Sequence, residues 1–304
     1  MNKNPYSYKR KRRAPSKKKI VLTVIIAFIA AFALIIAWTA FVSSAHTDPA
    51  TGLQYKISPN SFTCRIVSAA KCEASEIKVP EKIGLYTVTE ISGSAFARID
   101  GLKKVEIPET VTKIDVSAFY ESKNLEEVKL PSGITEIAPD MFFGCKSLKT
   151  IAIPDSVTYI GTSAFEESGL TEIHIGENIK FIDNWAFSEC FSLTEIEIPG
   201  TVEKLGQGAV HCCNSLESIV IGEGIEEIPD SFIFSGVNLK KAVFPKSIKS
   251  IGTNIFMNGG PSELTYLGTV EEWCDILKAE DWSRYIIIHC TDGSIDSNGY
   301  MVED

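Results

Sequence analysis

Hydrophobic and polar residues follow one short pattern that recurs along most of the chain. The pattern is clearest at residues 148–165, where Ile151 and Ile153 flank a small residue and Pro154 follows. Alternation of this kind predicts a short β-strand with one buried face, which ends at the proline because proline has no backbone N–H to donate. A second apolar pair and an alanine–phenylalanine step complete the unit. Each unit therefore predicts one coil of chain with two short extended segments and an internal aromatic ring.

A leucine opens each unit, and consecutive leucines are 22 or 23 residues apart. These leucines are Leu102, Leu125, Leu148, Leu170, Leu193, Leu216 and Leu239. One unit cannot bury its apolar face alone, so self-similarity at this period predicts a solenoid whose parallel strands stack at ~4.8 Å. The predicted fold class is a mainly β solenoid, with a parallel strand ladder and short turns or 3-10 segments, preceded by one transmembrane α-helix.

The repeated motif Leu-x-x-Ile-x-Ile-Pro-x-x-Val-Thr-x-Ile-Gly-x-x-Ala-Phe resembles the BspA-type leucine-rich repeat of microbial surface proteins. The resemblance covers about residues 75–263. Residues 266–269 and 288–293, Tyr-Leu-Gly-Thr and Ile-His-Cys-Thr-Asp-Gly, are similar to the usual closing segment of that family. The resemblance implies a leucine-rich-repeat fold and a role in adhesion or in host and community interaction.

The flanking segments predict caps and a tether for this stack. The predicted parts are a basic cytoplasmic tail at 1–19, a transmembrane helix at 20–42, a linker at 43–52, an N-terminal cap at 53–74, the repeats at 75–263 and a C-terminal cap at 264–304. Strands are expected at 53–57 and 62–67 in the first cap. In the second cap we expect a helix over 270–278 and a final strand at 285–290.

The tether is predicted from charge and hydropathy. Residues 1–19 hold nine Lys or Arg and no acid, and the 23 residues from Ile20 to Val42 carry no charge. Such a run is long enough to cross ~30 Å of hydrocarbon as a helix, and the positive-inside rule keeps the basic tail in the cytoplasm. The repeat domain is therefore expected outside a cell membrane crossed once. The alternative is secretion after signal-peptide cleavage near Ala45.

Charge also limits the class of partner. Beyond the basic tail, 21 basic side chains face 39 acidic ones, which argues against a nucleic-acid partner. Glu172, Glu195 and Glu197 stack on the outward strand face, where a solvated surface is favoured over catalysis because nothing in the sequence indicates a cleft. No catalytic set, cofactor or metal site is predicted, and His211-Cys212-Cys213 is too tight a run for a tetrahedral zinc site.

The eight cysteines fall into two groups. Three occupy one repeat offset that holds serine or glycine in other units, which predicts small, buried, free thiols: Cys145, Cys190 and Cys213. Among these, Cys190 and Cys213 form the only neighbouring pair able to bridge. Possible disulfides in the two caps join Cys64 to Cys72 and Cys274 to Cys290.

Exposed aromatic residues give the candidate ligand-binding site. Tyr159 and Phe181 occupy one exposed offset in neighbouring units, and Trp185 follows at an offset otherwise held by small or polar residues. We add His174, from the unit that carries Phe181. An exposed aromatic cluster is a candidate contact for a protein or a sugar. The alternative is that neighbouring side chains shield these rings.

These observations predict a membrane-anchored, extracellular, non-catalytic binding or adhesion protein that contacts protein or glycan ligands. The first alternative is a cell-envelope scaffold that organises another membrane protein. A remote alternative is a carbohydrate-active enzyme that uses paired carboxylates such as Glu195. The sequence does not predict the oligomeric state.

Overall fold

The structure is a computed structural model that describes residues 17–59, 61–233, 239–256, 260–279 and 286–302. The chain divides into two compact units, Met1–Ser44 and Ala45–Asp304. Residues 1–16 of the predicted basic tail lie outside the described part.

The first unit contains helix α1, Lys17–Ser43, of 27 residues. The helix expected over residues 20–42 is therefore present. Among the described residues, however, no helix combines the length and apolar character required to cross a bilayer. The transmembrane assignment made from the sequence is not confirmed.

In its described residues, the second unit consists of short strands and one short helix, α2, Val270–Asp275. The strands, in chain order, are β1 His46–Thr47, β2 Gln54–Ile57, β3 Thr63–Ser68, β4 Glu76–Lys78, β5 Lys82–Ile83, β6 Tyr86–Ile91, β7 Lys104–Glu106, β8 Lys113–Ile114, β9 Glu127–Lys129, β10 Glu136–Ile137, β11 Tyr159–Ile160, β12 Phe181–Ile182, β13 Glu195–Ile198, β14 Lys204–Leu205, β15 Ser218–Ile221, β16 Glu227–Ile228, β17 Lys241–Phe244, β18 Ser250–Ile251, β19 Glu263–Tyr266, β20 Leu277–Lys278, β21 Ile287–Cys290, β22 Gly293–Asp296 and β23 Met301–Val302.

The strands form two parallel ladders, as the repeat predicts. The first ladder contains strands from the beginning of the units, in the orders β4-β7-β9 and β13-β15-β17-β19-β21. The units that begin at Leu148 and Leu170 contribute no strand to it. The second ladder contains strands from the middle of the units, in the orders β6-β8, β10-β11-β12-β14 and β16-β18-β20. The solenoid assignment is confirmed.

Stacked phenylalanine rings fill the centre of the coils. Rings of successive units lie 5.2–5.5 Å apart between centroids and are inclined by 3–14°, and all are fully buried: Phe96, Phe119, Phe142, Phe165 and Phe187. Val210 continues the row and is also fully buried. Close-packed rings of this kind explain why five successive units hold phenylalanine at this offset.

A second buried row links the coils by hydrogen bonds. The Ser122 hydroxyl donates to the Phe96 carbonyl at 2.6 Å, and the thiols of Cys145, Cys190 and Cys213 donate to equivalent phenylalanine carbonyls at 3.1–3.2 Å. These three cysteines are buried and free. Burial raises the pKa of the Cys145 thiol to about 12.

The predicted cap disulfides are wrong, because the four cysteines concerned are free thiols: Cys64, Cys72, Cys274 and Cys290. Cys64 is fully buried in the core, whereas the Cys72 thiol donates to the Thr51 carbonyl at 3.2 Å. In the second cap, Cys274 is exposed on α2 and Cys290 is half-buried at the end of β21.

The caps differ in how closely they follow the sequence pattern. Strands β2 and β3 lie where strands are expected and pair antiparallel. In the C-terminal cap, α2 ends at Asp275 rather than at residue 278, and Leu277 is 75% exposed in β20. Strand β21 is not final either, because β22 and β23 follow it.

Candidate binding surfaces

The second ladder places Tyr159 directly opposite Phe181, in neighbouring strands β11 and β12. Glu136 and Lys204 continue this row on either side. Tyr159 is half-buried and Phe181 is 42% exposed. The two rings predicted to be neighbours therefore occupy one exposed row between an acidic and a basic residue.

Asp183 holds Tyr159 in place. The Tyr159 hydroxyl donates to Oδ2 of Asp183 at 2.8 Å, and the Thr162 hydroxyl donates to the same oxygen at 3.0 Å. Burial and the neighbouring carboxylate raise the pKa of Tyr159 to about 12. Burial alone would raise the pKa of Asp183, but hydrogen bonds from the Asn184 backbone, Tyr159 and Thr162 outweigh it and keep that pKa below its usual value. Tyr159 is therefore a fixed residue, and Phe181 is the more accessible ring.

Trp185 adopts a backbone conformation that bulky residues rarely accept. Its φ is +55°, in the left-handed region. The equivalent positions in other units share φ between 53° and 62°, and all hold small or polar residues: Ser94, Ser117, Asp140, Ser163, Gly208, Ser231 and Asn254. Such strain in a large residue marks a site where a function for that residue is to be sought.

Gly208 makes room for the Trp185 indole. A Cβ added to Gly208 would lie 2.6 Å from Cδ1 and 2.8 Å from Nε1 of Trp185. The indole therefore lies against the backbone of the next unit, and 43% of Trp185 remains exposed. We call Tyr159, Phe181 and Trp185 the aromatic row. Two of its members, Phe181 and Trp185, are 42% and 43% exposed.

His174 does not belong to the aromatic row. It lies in a segment before β12 that forms no strand, and it lines a cavity of about 560 Å³ together with Glu172 and Glu195. The four residues proposed from the sequence are thus divided between two surfaces. Tyr159 and Phe181 lie on the second ladder and Trp185 just after it, whereas His174 lies at this cavity.

The first ladder is interrupted around this cavity. Residues 150–153 and 172–175 form no strand, although Ile151, Ile153, Ile173 and Ile175 keep the alternating pattern. A second cavity of about 460 Å³ borders residues 150–154 on the other side, and both cavities contact Thr150 and Ile151. We call this continuous depression the trough. Sequence reasoning missed it, and its only cue is the single 22-residue spacing, between Leu148 and Leu170.

The trough carries negative charge. Glu172, Glu177, Glu195 and Glu197 line its larger cavity, with Lys241 at one end. No group of three or more His, Cys, Asp or Glu within the described residues has a geometry that could hold a metal ion. The expectation of a plain solvated face is incomplete, because these carboxylates border a concave site.

A family model described as "BspA type Leucine rich repeat region (6 copies)" matches residues 68–187 and 135–262. Together these matches cover more than half of the chain. The chain belongs to the BspA-type leucine-rich repeat family. No curated protein matches the sequence. Both the aromatic row and the trough lie inside the matched residues, so they are variations of BspA-type repeats and not inserted domains.

Solved structures support the same fold. A leucine-rich repeat protein from Bacteroides ovatus is 21% identical with a TM-score of 0.60, over 74% of this chain and 65% of that chain. A leucine-rich repeat protein of T. pallidum is 22% identical with a TM-score of 0.46, over 73% of this chain and 86% of that chain. A leucine-rich cell surface protein from Faecalibacterium prausnitzii is 20% identical with a TM-score of 0.27, over 77% of this chain and 97% of that chain.

Proposed function

We propose that this BspA-type repeat protein is a non-catalytic binding protein of the cell surface, which uses its aromatic row to contact an extracellular protein or glycan. The observation that carries the proposal is Trp185. A tryptophan occupies a left-handed position that the other units fill with Ser, Asp, Gly or Asn. Phe181 and Trp185 lie four residues apart in one unit and are 42% and 43% exposed, so one ligand can contact both rings.

The tether is part of this proposal. The charge-free run of residues 20–42 lies within α1, and nine basic residues precede or begin that helix. Such a sequence inserts with its N-terminus in the cytoplasm. The repeat domain, which follows the helix, is then presented outside the cell. Cleavage near Ala45 would release the same domain as a secreted protein.

The experiment uses the full chain, purified in detergent, on an array of defined oligosaccharides and purified extracellular proteins. Trp185→Ser and Phe181→Lys copy residues that other units hold at the same offsets, so the coils are expected to stay folded. Each change should weaken capture of the bound array member about 30-fold, as loss of a 2 kcal/mol hot spot would. Val116→Ser, which removes an exposed valine elsewhere on the solenoid, should leave capture unchanged.

Two results would contradict the proposal. Capture that survives both substitutions places the ligand elsewhere. Capture of no array member, together with recovery of one membrane protein from the native membrane only while residues 1–43 are present, would instead support the scaffold alternative. Turnover of a captured glycan that Glu195→Gln abolishes and Trp185→Ser spares would indicate the carbohydrate-active enzyme.

A further inference from the structure

The trough is a gap between two strand ladders. Strand β9 pairs with β7 on one side only, and β13 pairs with β15 on one side only. The facing edges of β9 and β13 are separated by residues 150–153 and 172–175, which belong to no strand. Two edges of unpaired backbone therefore border one depression.

Backbone hydrogen bonding across this gap is nearly absent. Among the described residues, only two backbone bonds remain there, from the Thr171 N–H to the Lys149 carbonyl at 2.9 Å and from the Thr194 N–H to the Thr171 carbonyl at 3.3 Å. Beyond them no backbone bond links residues 150–153, 172–175 and 195–198 to one another. Unpaired backbone N–H and C=O groups are strong hydrogen-bonding partners for an added extended segment.

Acidic side chains above this edge have no partner in the described part of the chain. Glu195 and Glu197 point outward from β13, on either side of buried Ile196, and Glu172 adjoins them. Neither these three residues nor Glu177 forms an ion pair with a described residue. At the smaller cavity, by contrast, Glu127 pairs with Lys104 at 2.7 Å. Among the described residues, the glutamates of the larger cavity therefore carry negative charge that no ion pair offsets.

We propose that the trough binds an extended segment of a partner protein that carries Lys or Arg at two alternate positions, i and i+2. Side chains two residues apart on a strand share one face, and this spacing matches Glu195 and Glu197 on β13. The segment's main chain pairs with the free edge of β13, and its basic side chains reach the glutamates. This site lies on the first ladder and stands independently of the aromatic row on the second.

The apolar lining adds to this fit. Ile173 is half-buried and lines the larger cavity beside the buried Ile151, Ile175 and Ile196. Ile173 is therefore the member of this lining that an added side chain can cover. An extended segment places the residue between its two basic side chains on the opposite face, toward this lining. The recognised segment is therefore basic, then apolar, then basic.

The test compares three five-residue peptides on the full chain in detergent, by isothermal titration calorimetry. The first has Lys at positions two and four, Val between them, and Thr at both ends. The second has the same composition with the two Lys adjacent. The third repeats the first with N-methylated amides at alternate residues. We expect the first peptide to bind at least tenfold more tightly than either of the others.

Matched protein variants separate the trough from general charge attraction. The double variant Glu195→Gln/Glu197→Gln should weaken the first peptide at least tenfold. The control Glu226→Gln/Glu227→Gln removes the same charge at and beside strand β16 of the second ladder and should leave its affinity unchanged. Equal binding of the two isomeric peptides, equal effects of the two double variants, or no effect of N-methylation would each overturn the proposal. The trough and the aromatic row are tested separately, because Trp185→Ser should leave the affinity for the first peptide unchanged.

Discussion

Gly208 offers a direct test of how the Trp185 ring is held. The substitution Gly208→Ala adds one methyl group at a residue with φ of +62°, 2.6 Å from Cδ1 of the indole. Two costs follow. A residue other than glycine is about 1–2 kcal/mol less stable in the left-handed region. The indole of Trp185 must also move, because the added Cβ would overlap it.

The second cost follows from the burial of Trp185. The residue is 43% exposed, so somewhat more than half of its surface is covered. For a tryptophan of roughly 250 Å² at about 25 cal/mol per Å², the covered part is worth at most about 3.5 kcal/mol. Losing half of this cover costs about 1.5–2 kcal/mol. Gly208→Ala should therefore destabilise the protein by about 2.5–4 kcal/mol in total.

Gly144→Ala is the matched control. Gly144 also has a left-handed φ, of +67°, but the nearest atom to an added Cβ is the flexible Cγ of Glu121 at 3.3 Å. Only the backbone cost of about 1–2 kcal/mol should appear. The free energy of unfolding is measured by urea denaturation of the full chain, followed by circular dichroism.

The double-mutant cycle with Trp185→Ser isolates the contact. In the Trp185→Ser background, Gly208→Ala should cost no more than Gly144→Ala does in the unmodified protein, because no indole remains to be displaced. Equal costs for Gly208→Ala and Gly144→Ala with Trp185 present would refute the claim that the indole rests on Gly208. An excess cost that persists without the indole would refute it as well.

Three further outcomes are expected. Phe165→Ala should lower the free energy of unfolding, measured by urea denaturation, by about 3–5 kcal/mol, because it leaves a cavity between two stacked rings. A loss below about 1 kcal/mol would contradict the ring stack. Because the pKa of Asp183 is lowered in the folded protein, its carboxylate adds stability that is complete above the unfolded pKa of about 3.9 and is lost as the pH falls toward the folded pKa. Asp183→Asn should therefore flatten the fall in Tm between neutral and acidic pH. An unchanged slope of Tm against pH would contradict this. In labelling by a thiol-reactive mass tag, the exposed Cys274 should react first and the buried Cys145 and Cys213 only on unfolding, whereas early labelling of Cys145 would contradict its burial.

The repeat could be predicted from sequence because its determinants are local. The leucine, the alternating isoleucines, the proline and the alanine–phenylalanine step each favour one conformation at one offset, and stacking reinforces all of them. Tyr159 and Phe181 were placed correctly as neighbours for the same reason, since equal offsets in adjacent units must pair. The ligand-binding role assigned to them stays a prediction.

The trough could not be predicted this way, because its residues obey the strand pattern. Ile151 and Ile153 alternate as in every other unit, yet residues 150–153 make no ladder bonds. The unit that begins at Leu148 is one residue short before Leu170, where Gly169 fits so closely that an added Cβ would lie 2.0 Å from the Lys146 carbonyl oxygen. A change in the connection can alter backbone pairing without any change in hydrophobic pattern, because side-chain alternation does not encode interstrand distance.

In the C-terminal cap, strand pairing overrides the local helical pattern of hydrophobic residues. Residues 270–278 carry a helical pattern, but α2 stops at Asp275 because Leu277 and Lys278 pair with Ser250 and Ile251 and extend the second ladder. Covering the end of the solenoid satisfies backbone groups that would otherwise form an open edge. The disulfide predictions were wrong for a related reason, since cysteine positions in sequence do not fix thiol distances.

Because the units are nearly equivalent, departures from the pattern are informative, and the main departures fall together. The short spacing after Leu148, the missing strands at 150–153 and 172–175, and the strained Trp185 all lie in the two units between Leu148 and Leu193. The ring stack of those units is unchanged, since Phe165 and Phe187 continue it, whereas Ile153 and Ile173 on the first ladder's side are only half-buried. The departures therefore affect the strand face and the turn after β12 and leave the centre of the coils intact. A concave acidic surface and exposed aromatic rings occur together in these two coils, so ligand contacts are to be sought here first.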